Sequence, residues 1–177
     1  SKGVGPDRSE PSVSARPEVA TIMIPSAESK HATVGAQSAD TLAANLEALG
    51  SLNHVARVAI QSAEDREIEI EIAEDGRLTG TWDGRRLASA HRPAAETTRL
   101  VEEVDLSEQA CIAIIGFGLG DHVEAFVRRL RGTGVVVVLE TDAALLRAVF
   151  SRLDLSEWLA DERLILRVDP DDSVGLA

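Results

Sequence analysis

The pattern of apolar and polar positions divides the chain into an unpatterned start and a longer periodic part. Residues 1–39 are rich in Pro, Ser, Gly and Ala, and their apolar residues cluster only around Ile22–Ile24. Such a segment buries too little apolar surface to offset its ordering entropy. We therefore predict a disordered or linker tail over 1–39, with Ile22–Ile24 as a candidate edge strand, and a single α/β domain over 40–177.

Helical periodicity starts at Asp40, where leucines recur on one face as far as Leu49. Asp40 is predicted to cap this helix at its start, and Gly50 occupies the position where a glycine commonly ends a helix. A second short helix is predicted over Leu52–Ile60.

The period then changes to that of strands. The run Glu67–Ile72 alternates isoleucine with glutamate, and Asp-Gly pairs follow at Asp75-Gly76 and Asp83-Gly84. Alternating runs bounded by such pairs are typical of hairpins. We predict a small antiparallel meander over 66–89, with Leu78–Trp82 as its second strand. Its three glutamates are expected to form a solvated face rather than a cation site.

The last part, 110–170, has the order of a Rossmann-like half. The apolar runs Cys111–Ile115 and Val135–Leu139 are typical of parallel strands buried on both faces, and Arg163–Val168 gives a third strand. Helices are predicted from Pro93 to Val104, from Asp121 to Arg131, from Ala143 to Leu153 and from Ser156 to Leu159. The predicted fold class is α/β: a βαβαβ unit with parallel strands, preceded by short helices and the meander.

Composition narrows the possible partners. Eighteen basic residues face 30 acidic ones, for a net charge of −12, and the chain has no Tyr, three Phe and two Trp. This acidic balance argues against nucleic acids and anionic membranes as partners, because both bind to clusters of basic residues. The scarcity of aromatic side chains also argues against base stacking. Apolar runs are far shorter than the ~20 residues of a membrane-spanning helix, so a cytoplasmic location is expected. The single cysteine, Cys111, excludes an intrachain disulfide and is predicted to be an inert, buried residue.

A glycine loop lies between the first parallel strand and its helix, with glycines at 116, 118 and 120. Such loops allow close approach of a ligand, and Glu140, 20 residues beyond Gly120, ends the next strand, where an acid commonly holds ribose hydroxyls. Gly116, Gly118, Gly120 and Glu140 are therefore the candidate ligand-binding residues. Asp121 departs from the dinucleotide pattern and would repel a pyrophosphate, which disfavours NAD and FAD. Three alternatives stay open: close packing alone, an adenosyl ligand such as S-adenosylmethionine, or another small molecule.

The other polar candidates give no catalytic residue and no metal site. The four histidines lack the spacing of a metal site, and His122 alone lies near the loop, with Glu140 or Asp142 as a conceivable partner for general-base chemistry. Arginines 128, 129 and 131 suit the end of their helix and could also recognise a carboxylate. Trp82 and Trp158 are predicted core or domain-contact residues.

An ordered set of short motifs carries a family resemblance over roughly residues 40–170. These motifs are Asn45-Leu46-Glu47-Ala48-Leu49, Asp75-Gly76, Pro93-Ala94-Ala95-Glu96, Ile114-Ile115-Gly116-Phe117-Gly118-Leu119-Gly120-Asp121-His122, Val138-Leu139-Glu140 and Leu153-Asp154-Leu155-Ser156. The set resembles the amino-terminal domain of the Maf (motility-associated factor) flagellin glycosyltransferases. His122, where Tyr is more usual, and Thr141, where Pro is frequent, depart from the family pattern.

The resemblance implies an accessory domain of a longer multidomain protein. Members of that family transfer nonulosonic acid from CMP-activated donors to Ser or Thr of flagellin, with the transferase site in a domain downstream of this one. The implied partners are flagellin or another protein acceptor and the catalytic domain, with a homo-oligomer as a further possibility. No cofactor and no catalytic residue are carried onto this chain. The alternatives are a small-molecule-binding domain related to methyltransferases and a scaffold without ligand.

Overall fold

The computed structural model describes residues 38–106, 111–130 and 134–168, and the predicted α/β class is confirmed. The candidate strand Ile22–Ile24 lies outside the described residues. The helices are α1 (Ala39–Ala48), α2 (His54–Ser62), α3 (Pro93–Glu102), α4 (Asp121–Arg129), α5 (Ala143–Arg152) and α6 (Ser156–Leu159), with a 3₁₀ turn at Ser51–Asn53. The strands are β1 (Glu69–Ile72), β2 (Leu78–Trp82), β3 (Arg85–Arg86), β4 (Cys111–Ile115), β5 (Val135–Glu140) and β6 (Leu164–Val168).

Two three-stranded sheets organise the chain, as the periodicity predicts. Strands β1-β2-β3 form the antiparallel meander, and β4-β5-β6 form a parallel sheet in that order. Because both crossovers of a sheet in sequential order have the same hand, α4 and α5 lie on the same face of it. The core lies between that face and the helices.

Aromatic rings fill the centre of this core. The Phe117 ring lies edge-on to Phe150, with centroids 5.6 Å apart, and stacks on Trp158 at 6.0 Å. Trp82 and Trp158 are both buried, which confirms them as core residues.

The prediction that the parallel strands are buried on both faces is wrong. Ile112 and Ile114 of β4 face the helices, whereas Cys111, Ala113 and Ile115 are exposed. Cys111 is therefore not the buried residue that the sequence indicates. A continuous apolar run predicts burial on both sides only where helices cover both sides, and here the two crossover helices cover one.

The amino-terminal helices cap the carboxyl half of the fold through two buried asparagines. Asn53 pairs with the free edge of β6: its Nδ2 donates to Leu164 O (3.1 Å), and its Oδ1 accepts from Leu166 N (2.7 Å). Asn45 Nδ2 donates to the carbonyl oxygens of Phe150 (2.9 Å) and Leu153 (2.7 Å) where α5 ends.

Several predicted boundaries shift by one to three residues. Ser38, rather than Asp40, caps α1, because its hydroxyl accepts from Thr41 N. Gly50 follows that helix with φ +63°, as a terminating glycine should.

The predicted isoleucine face of β1 is only partly buried: Ile68 is in the core, whereas Ile72 extends past it and is 72% exposed.

Candidate functional site

The glycine loop turns the chain tightly from β4 into α4. Gly116, Gly118 and Gly120 all have positive φ, at +88°, +56° and +95°. The Gly116 N–H donates to Leu139 O at 2.8 Å, which ties the start of the loop to β5. The left-handed conformations explain why glycine is needed at all three positions.

Glu140 holds this loop through its carboxylate. One oxygen, Oε2, accepts the backbone N–H of Phe117 at 2.9 Å, and Oε1 accepts that of Asp142 at 3.0 Å. The residue is only 7% exposed. The structure thus brings Glu140 and the loop together as predicted, but each carboxylate oxygen already binds a backbone N–H of the protein.

The meander packs against the far side of the loop. A Cβ atom at Gly118 would lie 3.0 Å from the carbonyl oxygen of Leu87, and one at Gly80 would meet the Leu119 side chain at 3.5 Å. Trp82 Nε1 also donates to Asp142 Oδ2 at 2.7 Å, beside the start of α5. Ligands of open α/β sheets bind outside the carboxyl ends of the strands. Here the meander and the linker after it occupy that position.

His122 and Arg128 both engage partners within the fold. His122 Nε2 contacts the Gly116 carbonyl oxygen at 3.2 Å rather than Glu140 or Asp142. Arg128 forms ion pairs with Glu124 (2.7 Å) and Glu157 (3.2 Å). Arg131 lies outside the described residues.

Metal-ligating clusters and membrane-spanning helices were both searched for in the described ranges. Within 38–106, 111–130 and 134–168, no group of three or more His, Cys, Asp or Glu side chains is placed to hold a metal ion. In the same ranges, no helix combines the length and apolar character needed to cross a membrane.

Asp121, the first residue of α4, has an unfavourable environment for its charge. Burial raises the pKa of its carboxyl above the ordinary 3.8, and the nearby charges of Arg77 and His122 offset this only in part. The folded state therefore takes up this proton at a higher pH than the unfolded state. The resulting destabilisation is present above the folded-state pKa and is relieved as the pH falls through it towards 3.8.

We expect Asp121→Asn to raise the urea midpoint of unfolding at pH 7. The advantage over the parent chain should shrink as the pH falls towards 3.8, because the parent then becomes neutral at this site. Asp161→Asn is the matched control, since its hydrogen bonds with Arg163 lower the pKa of Asp161. Its midpoint should fall at pH 7 and converge with that of the parent chain in acid. If Asp121→Asn raised the urea midpoint by the same amount at every pH, burial would not be what raises the pKa of Asp121.

The uncovered face of the parallel sheet is a second candidate site. Within the described residues no helix covers it, and Ile115 at its edge is 88% exposed. The three residues that β4 contributes to this face are exposed, as is Arg167 of β6, and the other members are half-buried. The face consists of Cys111, Ala113, Ile115, Val135, Val137, Leu139, Ile165 and Arg167. Seven of these eight residues are apolar, so the face has the composition of an interaction surface.

Sequence reasoning missed this surface, although a signal was present. Two short crossovers that join neighbouring parallel strands place both helices on one side of a sheet. The strand order β4-β5-β6 follows from those short connections. A third helix, or a partner, is therefore needed to cover the other side.

Of three comparisons with known proteins, the search of solved structures found a match, and the other two found none. No protein-family model matches the chain, and no curated protein matches it. Its structure is similar to that of the MAf glycosyltransferase from Magnetospirillum magneticum AMB-1, with a TM-score of 0.50 and 16% identity. The match covers 75% of this chain and 28% of the length of that protein. The chain therefore shares its fold with part of a Maf glycosyltransferase, the family that its ordered motifs resemble.

Proposed function

We propose that the chain is a non-catalytic accessory domain of a bacterial flagellin glycosyltransferase. The enzyme transfers nonulosonic acid from a CMP-sugar to Ser or Thr of its acceptor, and the catalytic unit lies outside residues 1–177. Two independent features support this assignment: the ordered motifs of the sequence and the fold likeness to a Maf glycosyltransferase. The sugar and the acceptor rest on the motif resemblance.

A non-catalytic role agrees with the chemistry of the loop. Both carboxylate oxygens of Glu140 bind backbone N–H groups, and the meander lies against Gly118. A ribose would have to share the carboxylate with these internal hydrogen bonds.

The observation that carries the proposal is the uncovered apolar sheet face. Parallel sheets occur almost always with both faces covered. We infer that a helical surface of the catalytic unit packs on this face and buries Ile115. In that arrangement the chain packs against the catalytic unit next to the transferase site.

The proposal is tested by substituting Ile115, the exposed isoleucine at the edge of this face. Ile115→Lys should weaken binding to the catalytic polypeptide of a Maf-type transferase from the same organism by about 100-fold, since a charge would be buried without a partner. Ile72→Lys is the matched control, because Ile72 is a similarly exposed strand residue on the other sheet. Isothermal calorimetry or interferometry measures both. Equal affinities for the two variants, or no complex with the unaltered chain, would contradict the proposal.

Ligand binding at the loop is the alternative hypothesis, and a thermal-shift assay tests it separately. We expect S-adenosylmethionine, CMP and a CMP-sugar at millimolar concentration to leave the melting temperature unchanged. A ligand present at 100 times its Kd would stabilise the fold by ~2.7 kcal/mol and move the transition by several degrees. A shift that Glu140→Gln abolishes would instead assign a small-molecule site to Gly116, Gly118, Gly120 and Glu140.

A further inference from the structure

A groove of about 350 Å³ runs along the free edge of β1, on the other sheet from the face discussed above. Four of its lining residues are consecutive in the chain and point alternately to the two faces of the strand, so the groove must follow the strand's edge. Within the described part of the chain, β1 pairs only with β2, which leaves its other edge free. The lining consists of Ile68, Glu69, Ile70, Glu71, Thr81 and Arg152.

The backbone of β1 directs unpaired groups to this edge. Gly80, the β2 partner of Ile70, accepts the Leu87 N–H (2.9 Å) with its carbonyl oxygen, on the side of β2 away from β1. Ile70 and Gly80 are therefore a non-hydrogen-bonded pair, and the N–H and C=O of Ile70 point to the free edge. The same groups of Ile72, two residues further along, point the same way. Such an edge is a template on which an extended peptide adds as a further strand.

The two sides of the groove differ in chemistry. Ile68 lies in the core and Ile70 packs against it, whereas Glu69 and Glu71, on the opposite face of the strand, are exposed. Glu71 forms an ion pair with Arg86 at 3.2 Å, which leaves Glu69 as the acid that a cationic side chain of an added strand would meet. Cross-strand neighbours interact on each face. The added strand therefore alternates aliphatic residues, beside the isoleucines, with polar or cationic residues, beside the glutamates.

An unpaired arginine adds a requirement for a carboxylate. Arg152 ends α5, and the α5 residues that are buried share one core with Ile68, so Arg152 reaches the groove from the isoleucine side. Its Nε is buried and has no hydrogen-bond partner in the described residues. A buried donor that is left unpaired calls for a partner, and a carboxylate is the group that a guanidinium binds most strongly. The aliphatic face of the added strand therefore carries one acid.

We propose that the free edge of β1 binds an extended segment of a partner protein by strand addition. The segment presents aliphatic residues and one acid on one face, and threonine or lysine on the other. Its backbone pairs with the outward groups of Ile70 and Ile72, and its acid pairs with Arg152. Because this edge and the face assigned to the catalytic unit belong to different sheets, binding here requires no catalytic unit.

Amide hydrogen exchange on the full chain tests the strand addition with a synthetic peptide, Val-Thr-Val-Lys-Glu-Thr-Val with blocked ends. At a saturating concentration of this peptide, the Ile70 N–H should exchange about tenfold or more slowly than in the free chain. The Glu71 N–H faces β2 and should exchange at the same rate in both. The same peptide with proline in place of its lysine should give no protection, because proline disrupts strand pairing.

Calorimetry with a second peptide tests the role of Arg152. With glutamine in place of its glutamate, the peptide should bind the unaltered chain about tenfold more weakly, since a charge-assisted hydrogen bond is lost. Arg152→Gln should bind both peptides equally, and Arg152→Lys should keep part of the preference. Arg85→Gln is the matched control: Arg85 is exposed on β3, at the other edge of the meander, and its loss should leave the tenfold preference intact. Both peptides are compared on the same protein, so each variant is its own reference.

Three results would overturn the proposal. Slow exchange of the Ile70 N–H in the free chain would mean that the edge is already paired. Unchanged exchange at millimolar peptide would show that the edge does not accept a strand. A preference for the glutamate peptide that persists in Arg152→Gln would place the carboxylate away from Arg152.

Discussion

Replacing Asn45 with alanine is expected to lower the free energy of unfolding by about 4 kcal/mol, a large part of the 5–15 kcal/mol typical of a domain. The side chain is fully buried and makes three hydrogen bonds, to Phe150 O, Leu153 O and Leu155 N. Alanine would leave these three backbone groups unpaired in the interior. Urea unfolding followed by tryptophan fluorescence measures the change.

Glu47→Ala is the control for this substitution. Glu47 lies on the same helix and is exposed, so the change should stay within about 0.5 kcal/mol. Asn45→Asp keeps the acceptor for Leu155 but places a carboxylate next to two carbonyl oxygens, and it should destabilise the fold as strongly as alanine. A loss below about 1 kcal/mol for Asn45→Ala would show that these bonds do not join α1 to the end of α5.

Gly120→Ala should cost about 3 kcal/mol, because two effects combine at this position. The residue has φ +95°, and an added Cβ would lie 3.0 Å from the Trp158 ring and 3.1 Å from that of Phe117. The backbone strain alone is of the order of 1 kcal/mol, and displacing two packed rings adds about 2 kcal/mol. Thermal and urea unfolding measure the loss.

Gly116→Ala separates the two effects. Gly116 has a similar φ of +88°, but a Cβ there meets nothing within 4 Å. Its substitution should therefore cost only the strain, about 1 kcal/mol. Equal losses at the two positions would contradict a packing role for Gly120 and would favour a loop kept open for a ligand.

The order of elements was predictable from the sequence because local signals determine it. The Asp75-Gly76 pair predicts the β1–β2 turn, and Gly76 there has φ +81°. Pro93 begins α3, as a proline with no N–H to satisfy favours the first helical position. Asp142 caps α5 through Ala144 N and Leu145 N, whereas the sequence pattern indicates it only as a conceivable partner for His122.

What the sequence could not reveal depends on packing between distant segments. Nothing local to Glu140 indicates that its carboxylate binds the Phe117 N–H, 23 residues away. Cys111 and Ile115 lie in a run whose composition is that of a buried strand, and their exposure depends on the side to which the helices cross. The two asparagines act over more than 100 residues of sequence separation, which no periodicity records.

The reactivity of Cys111 reports whether the catalytic unit covers the open face of the parallel sheet. It is the single thiol of the chain, and it lies exposed on the uncovered sheet face. Ellman's reagent should label it rapidly in the isolated chain and about tenfold or more slowly in the complex with the catalytic polypeptide, because access controls the rate. A Cys111→Ser, Glu74→Cys variant carries its thiol on the meander and should stay reactive in the same complex. Labelling of Cys111 at an unchanged rate in a complex that has formed would show that the partner binds elsewhere. That result would contradict the proposal that the catalytic unit packs on this sheet face.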